Sequence, residues 1–246
     1  MNALNFMLGG YDRKARLYPA LLLIAPVIAT TTALLSIKLS TLQSLVAVLV
    51  GCGGAFLLTQ LARDAGKRKE KALFDSWGGL PSVAIFRHRD SRLDAITKAR
   101  YHKKLNSLVS EAKAPTVEQE ESDPIAADTV YSAWSNFLRV NTRDTKMFPL
   151  LFQENVSYGY RRNVKGLRPI GIVIALSSCI VCGFFLYFIY QSTGKINDAL
   201  AISEAFDVFM LFLWLFRFTD AWVRVTADAY AARLAECTEA FADNAV

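Results

Sequence analysis

Residues 169–194 read PIGIVIALSSCIVCGFFLYFIYQSTG, a run of 26 without one Asp, Glu, Lys or Arg. A helix needs about 20 such residues to cross a hydrocarbon core. Two further charge-free runs, 17–37 (21 residues) and 39–62 (24 residues), meet the same requirement. The 246-residue chain is nevertheless 20% charged, with a mean hydropathy of +0.25. Polar and apolar residues are therefore segregated along the chain. This excludes a purely soluble enzyme, a disordered protein and a disulfide-framed secreted domain. The first run resembles a signal peptide behind Arg13, Lys14 and Arg16, but it is longer than an ordinary h-region and a second span follows almost at once. A retained helical hairpin is the better reading.

A fourth span is harder to see. Residues 199–225 read ALAISEAFDVFMLFLWLFRFTDAWVRV, with the apolar centre Val208–Phe216 held between Asp207 and Arg217. Nine apolar residues do not cross alone, so the helix must extend to both sides with its charges facing protein or water. Lys/Arg counts then orient the chain. Residues 63–168 carry 20 Lys/Arg and 13 Asp/Glu, whereas the linkers near Lys38 and Lys195 carry one Lys each. The expected fold class is all-α: a polytopic membrane protein with four transmembrane helices and a helical cytosolic module between spans two and three. The expected segments are a cytosolic flank (1–16), a transmembrane hairpin (17–62), the basic helical module (63–168), a second hairpin (169–222) and a cytosolic C-terminal helix (223–246). Both termini are expected on the cytoplasmic side of a bacterial inner membrane.

Within the module, Trp77-Gly78-Gly79-Leu80-Pro81 signals a turn. Ser91 opens an amphipathic helix with Leu93, Ile96, Tyr101, Leu105, Leu108 and Val109 on its apolar face. Arg92, Lys98, Arg100, Lys103 and Lys104 are expected on the other face. Glu118–Asp123 reads as a surface connector, and Asp123-Pro124 as an N-cap with proline at the first helical position. The next helix puts Val130, Tyr131, Trp134, Phe137 and Leu138 on one side.

The candidate chemistry is sparse. His88-Arg89-Asp90 suggests a kinase catalytic loop, but Ala95 stands where an Asn is needed and there is no Gly-rich loop or DFG. His88, Asp90 and His102 match no zinc spacing, so structural, hydrogen-bonded histidines are expected. Cys179 and Cys182 have redox spacing but lie inside a span, where packing between helices explains them. No catalytic residues, metal site or cofactor are expected.

Two sets of residues carry the functional reading. On one continuous helix Arg217, Asp220, Arg224 and Asp228 would form a charged stripe, with Asp207 near its line. A bland reading pairs Arg217 with Asp220 at the interface. The sharper one lines a pore with Asp207, Phe209, Leu213, Phe216, Arg217 and Asp220, which requires a homo-oligomer. The second set is basic and interleaved with aromatics: Arg87, Arg89, Arg100, Lys103, Lys104, Tyr158, Arg161 and Arg162. It suits a nucleotide or single-stranded oligonucleotide, anionic lipid headgroups of the bilayer, or simply positive-inside charge.

Several strings also resemble one group of bacterial four-span membrane proteins. They are Gly10-Tyr11-Asp12-Arg13-Lys14-Ala15-Arg16-Leu17, Trp77-Gly78-Gly79-Leu80-Pro81-Ser82 and Arg87-His88-Arg89-Asp90-Ser91-Arg92-Leu93-Asp94. Thr97-Lys98-Ala99-Arg100-Tyr101-His102, Thr142-Arg143-Asp144-Thr145-Lys146 and Glu154-Asn155-Val156-Ser157-Tyr158-Gly159-Tyr160-Arg161-Arg162-Asn163 complete the set. The group resembles the membrane effector of Hailong-type anti-phage defence. That resemblance implies an oligomeric channel with a nucleotidyltransferase partner, whose nucleic-acid product controls it. The alternative is a non-conducting membrane scaffold that recruits a cytosolic defence partner.

Overall fold

The structure is a computed structural model that describes residues 10–35 and 54–242. All regular structure among the described residues is helical. A short helix, Gly10–Asp12, and a π-helical turn, Arg13–Leu17, lead into α1 (Tyr18–Leu35). Then come α2 (Gly54–Ser76), α3 (Pro81–Ala84), α4 (Ala95–Leu108), α5 (Val117–Ser122) and α6 (Pro124–Asn141). The chain ends with α7 (Pro149–Thr193), α8 (Asp198–Phe212), α9 (Asp220–Glu236) and a 3₁₀ turn, Cys237–Ala240.

Three stretches are long and apolar enough to cross a membrane: Gly10–Leu34, Pro149–Thr193 and Asp198–Arg217. They correspond to the expected first, third and fourth spans. The expected second span, 39–62, falls largely outside the described residues, as do Cys52 and the glycines beside it. The described chain resumes in α2, whose basic end continues to Ser76.

The chain divides into two compact units. The first holds residues up to Glu70 together with Gly159–Val223, and the second holds Lys71–Tyr158 with Arg224–Val246. The expected 63–168 module and 223–246 segment thus lose their flanks to the first unit and share the rest of one body.

In the first unit, small residues let helices approach closely. A Cβ on Gly166 of α7 would stand 2.3 Å from the Ala65 carbonyl carbon of α2, and one on Gly66 would stand 2.0 Å from Asn163 Oδ1. Only glycine hydrogens fit there, so the two helix backbones meet directly. Asn163 is fully buried; its Nδ2 donates to the Ala15 carbonyl at 2.7 Å while Oδ1 accepts from Arg162. Trp214 fills the space over Gly171, where a Cβ would meet its ring at 2.4 Å.

The expected continuous fourth helix is interrupted, and this corrects the charged stripe. α8 widens into a π-helical turn at Leu213–Arg217, the chain leaves helical geometry at Phe218, and α9 begins at Asp220. Thr219 caps the new helix: its Oγ1 accepts from the Trp222 amide at 3.2 Å. The carbonyls freed at the break are taken by α7, since Arg168 donates to Trp214 O at 2.9 Å and to Leu215 O at 2.8 Å. Helix ends need such partners, and here a basic side chain supplies them. Arg217 therefore lies on a different segment from Asp220, and the two are not paired. Asp220 meets Lys165 at 2.6 Å, while Arg217 lies 5.4 Å over the Trp222 ring.

The second unit is organised around Tyr131, Trp134 and Leu138 of α6, all fully buried, with Ile85, Phe86, Tyr101 and Leu105 against them. Leu234 and Ala235 of α9 join the same core. Burying one large side chain of this kind contributes about 1.5–3 kcal/mol. Asp123 caps α6 through the Ala126 amide, with Pro124 in its first turn, as its sequence foretells. Glu118–Asp123, expected as a connector, is mostly the short helix α5. Thr116 and Gln119 form a reciprocal capping box at its start.

Candidate functional site

The loop 87–92 of the second unit is fixed from all sides by charged groups. Glu120, only 3% exposed, accepts from the His88 amide at 2.8 Å, the Arg89 amide at 3.5 Å and the Tyr131 hydroxyl at 2.7 Å. Burial works to raise its pKa, but these donors outweigh burial and hold the carboxyl below its usual value. On the other side, the Lys98 amine donates to the carbonyls of Arg87 (2.8 Å), His88 (3.2 Å) and Asp90. Burial lowers the pKa of Lys98, and the charges of Asp90 and Glu120 work against that.

The two histidines brace this loop. Nε2 of His88 meets the Pro115 carbonyl at 2.9 Å and Nε2 of His102 meets the Phe86 carbonyl at 2.8 Å. A carbonyl only accepts, so both nitrogens carry the proton. Burial first, offset by the hydrogen bond to Phe86, lowers the His102 pKa to about 4. Asp90 accepts from Arg92 through both oxygens, and Arg92 reaches on to Asp228 at 2.5 Å. The result is a rigid rim around a cavity of about 320 Å³, lined by His88, Arg89, Asp90, Lys98 and His102 among others. Ser91, Leu93, Ala95 and Ala99 complete its wall.

These contacts correct the expected faces of α4. The helix starts at Ala95, capped by Asp94, rather than at Ser91. Its buried stripe is Lys98, Tyr101, His102 and Leu105, while Ile96, expected inside, is 80% exposed. Lys98 belongs inside because three carbonyls await its amine.

The basic positions singled out in the sequence do not form one surface. Arg87 is spent on a two-pronged pair with Asp128, at 2.8 and 2.7 Å, and on the Gly78 carbonyl at 2.8 Å. Arg89 is half-exposed and only 3.9 Å from Glu120. Arg100 is exposed and pairs with Glu239 at 2.7 Å, and Lys104 donates to the Glu239 carbonyl at 3.4 Å. Lys103 is exposed. Tyr158 stacks on Tyr230, with ring centres 6.5 Å apart. Arg161 and Arg162 belong to the first unit. There Arg161 donates to the Trp222 carbonyl at 2.8 Å and covers its ring, while buried Arg162 binds Glu70 and Asn163.

The candidate pore residues also separate. Asp207 is fully buried within its own chain, and its Oδ2 accepts from Thr30 of α1 at 2.6 Å. Phe209 and Phe216 are 55% and 64% exposed, Leu213 is half-buried, and Arg217 and Asp220 are exposed. Glu204, Ser203 and Thr30 were not singled out in the sequence. The available signal was spacing, because Ser203, Glu204 and Asp207 fall on one side of a helix. Cys182 is buried between helices as expected, its thiol donating to the Leu200 carbonyl at 3.3 Å.

Comparison with protein-family models, curated proteins and solved structures finds no match to this chain.

Proposed function

We propose that the chain is the subunit of an oligomeric inner-membrane ion channel acting in bacterial anti-phage defence. A nucleotide or nucleic-acid oligomer bound by its basic cytosolic unit controls it. The observation that carries this reading is the outward face of the spanning helices. Phe184, Phe188, Phe209, Phe212 and Phe216 are each more than half exposed. Such faces are covered by lipid or by further copies of the chain.

Phe209 and Leu213 lie one turn apart, and Phe216 is exposed on the π-helical turn that follows. Brought together around an axis they make the apolar constriction that gates by dewetting, with Arg217 and Asp220 at its mouth. Asp207 stands behind this face rather than on it. Of the basic positions singled out in this unit, Arg89, Arg100 and Lys103 are exposed to phosphates, and Arg89 lines the cavity at His88–His102. The resemblance to Hailong-type effectors supplies the defence role and the nucleotidyltransferase partner. A ligand gates such a protein by a differential affinity of about 1–3 kcal/mol per site for its two states.

Ion flux from liposomes holding the purified protein, with and without short single-stranded oligonucleotides, tests the proposal. The expected result is a flux that changes with the oligonucleotide. In Arg89→Ala/Lys103→Ala the flux persists and its response is lost. Absence of flux under every condition, with a cytosolic protein co-purifying stably, replaces the channel with the scaffold reading.

A further inference from the structure

Glu204 and Asp207 lie three residues apart on α8, and Ser203 lies four before Asp207, so the three project from one side of the helix. Asp207 is 0% exposed, and Ser203 and Thr30 are 5% exposed. Thr30 satisfies one oxygen of Asp207 at 2.6 Å. Asp207 Oδ1, Glu204 Oε2 and Ser203 Oγ are buried without a hydrogen-bond partner. Across from them lies Gly183 of α7: a Cβ there would be in ordinary van der Waals contact with both Glu204 oxygens, at 3.8 Å.

Among the described residues no fixed positive charge answers these acids. The sequence of α1 contains no Lys, Arg or His, and neither does α7 from Pro169 to Thr193 or α8 itself. The other titratable groups facing the site are the thiols Cys179 and Cys182 of α7, and Cys182 lies within reach of both Ser203 and Glu204. A bare carboxylate withdrawn from water costs several kcal/mol unless a charge or a proton neutralises it. Glu120, the other buried acid among the described residues, is matched by two amides and a phenol. Here three oxygens keep unused lone pairs, so the neutralising group has to come from outside.

We propose that Asp207 and Glu204, with the hydroxyls of Ser203 and Thr30, form an intramembrane site that holds a small monovalent cation, a hydrogen ion or an alkali metal ion. Carboxylates and hydroxyls are hard oxygen donors, which take hard cations rather than soft ones. Among the described residues no three His, Cys, Asp or Glu side chains are placed so that together they could hold a metal ion. Thr30 also borders a groove of about 310 Å³ between α1 and α7, where Thr31, Ser177 and Ser178 add hydroxyls to an otherwise apolar lining. The site is complete within one chain and does not rest on the channel reading.

Treating the full-length protein in liposomes with a hydrophobic carbodiimide tests this directly. A protonated carboxyl adds to the reagent, its oxygen to the central carbon and its proton to nitrogen. An acyl shift from oxygen to nitrogen then leaves a stable adduct that peptide mass mapping locates. Labelling at Asp207 or Glu204 that rises as pH falls supports the site. Protection by Na⁺ or K⁺, against choline at equal ionic strength, identifies an alkali ion, and absence of protection identifies the hydrogen ion.

In parallel, the unfolding midpoint of the wild type should follow pH or alkali ion more steeply than that of Glu204→Gln/Asp207→Asn. Either result sustains the proposal. It is overturned if neither carboxyl is labelled at any pH and the midpoints of both proteins respond alike. If the double variant does not assemble, the wild-type labelling decides alone. Both readouts are independent of ion flux, so they stand or fall separately from the channel.

Discussion

Glu120 in the second unit and Asp207 in the first are both buried carboxylates, 3% and 0% exposed, yet they keep opposite company. Glu120 accepts two amides and a phenol and lies near a guanidinium. Asp207 accepts one hydroxyl and keeps an oxygen empty, with no base on the helices beside it. The same contrast holds for the groups around each. Lys98, Arg87 and Arg92 each have their donors answered by carbonyls or carboxylates, whereas Ser203, Glu204 and Asp207 each leave an atom unmet. Satisfied buried charges hold a loop in place, and unsatisfied ones among membrane-spanning helices are where a ligand belongs.

The largest expected effect lies on the satisfied side. Glu120→Ala strands the His88 and Arg89 amides and the Tyr131 hydroxyl, at a cost of about 4 kcal/mol. Asp207→Asn keeps the Thr30 hydrogen bond and removes an unanswered charge, so its unfolding midpoint should stay close to wild type. Denaturant unfolding of the detergent-solubilised protein measures both. Reversal of the two results breaks the contrast between the regions.

A second effect sharpens the account of the loop through pH. His102 is neutral in the fold, with its pKa lowered from 6.5 to about 4 by burial, so the unfolded chain takes up the proton more readily between those values. Its contribution is complete above pH 6.5 and is lost as pH falls toward 4, at most about 3 kcal/mol. Asp90 and Glu120, both held below their usual values, lose their own contributions in the same direction at lower pH still. His102→Gln should flatten the stability curve across that interval. An unchanged curve would show that the ring is not what titrates.

The smallest effect concerns the break after α8. Arg168→Ala removes two charge-assisted hydrogen bonds to Trp214 and Leu215 and should cost about 2 kcal/mol. Hydrogen exchange should rise at residues 214–219 and stay flat in the second unit. Uniform exchange changes would mean that the guanidinium does not hold this turn.

The helical class and the first, third and fourth apolar stretches were readable because a spanning segment is long, continuous and free of charge. Periodicity found Tyr101, Leu105, Tyr131, Trp134 and Leu138 for the same reason: apolar side chains at helical spacing bury together. It missed Lys98, His102 and Glu120, whose burial depends on carbonyls and amides that no hydropathy pattern registers. The small residues Gly66 and Gly166 carry no sign in the sequence of which helix they will meet.

The sequence by itself determined that this chain is helical, that it segregates apolar spans from a basic segment, and that acids sit among apolar residues near position 207. Local composition sets those properties, through chain length against bilayer thickness and through residue type against solvent. Only the tertiary structure decided that the last hydrophobic stretch breaks at Phe218, that Arg87 and Arg162 are consumed by internal partners, and that Asp207 turns toward Thr30. Each depends on which groups distant in the chain arrive within hydrogen-bonding distance, and only the folded packing determines that.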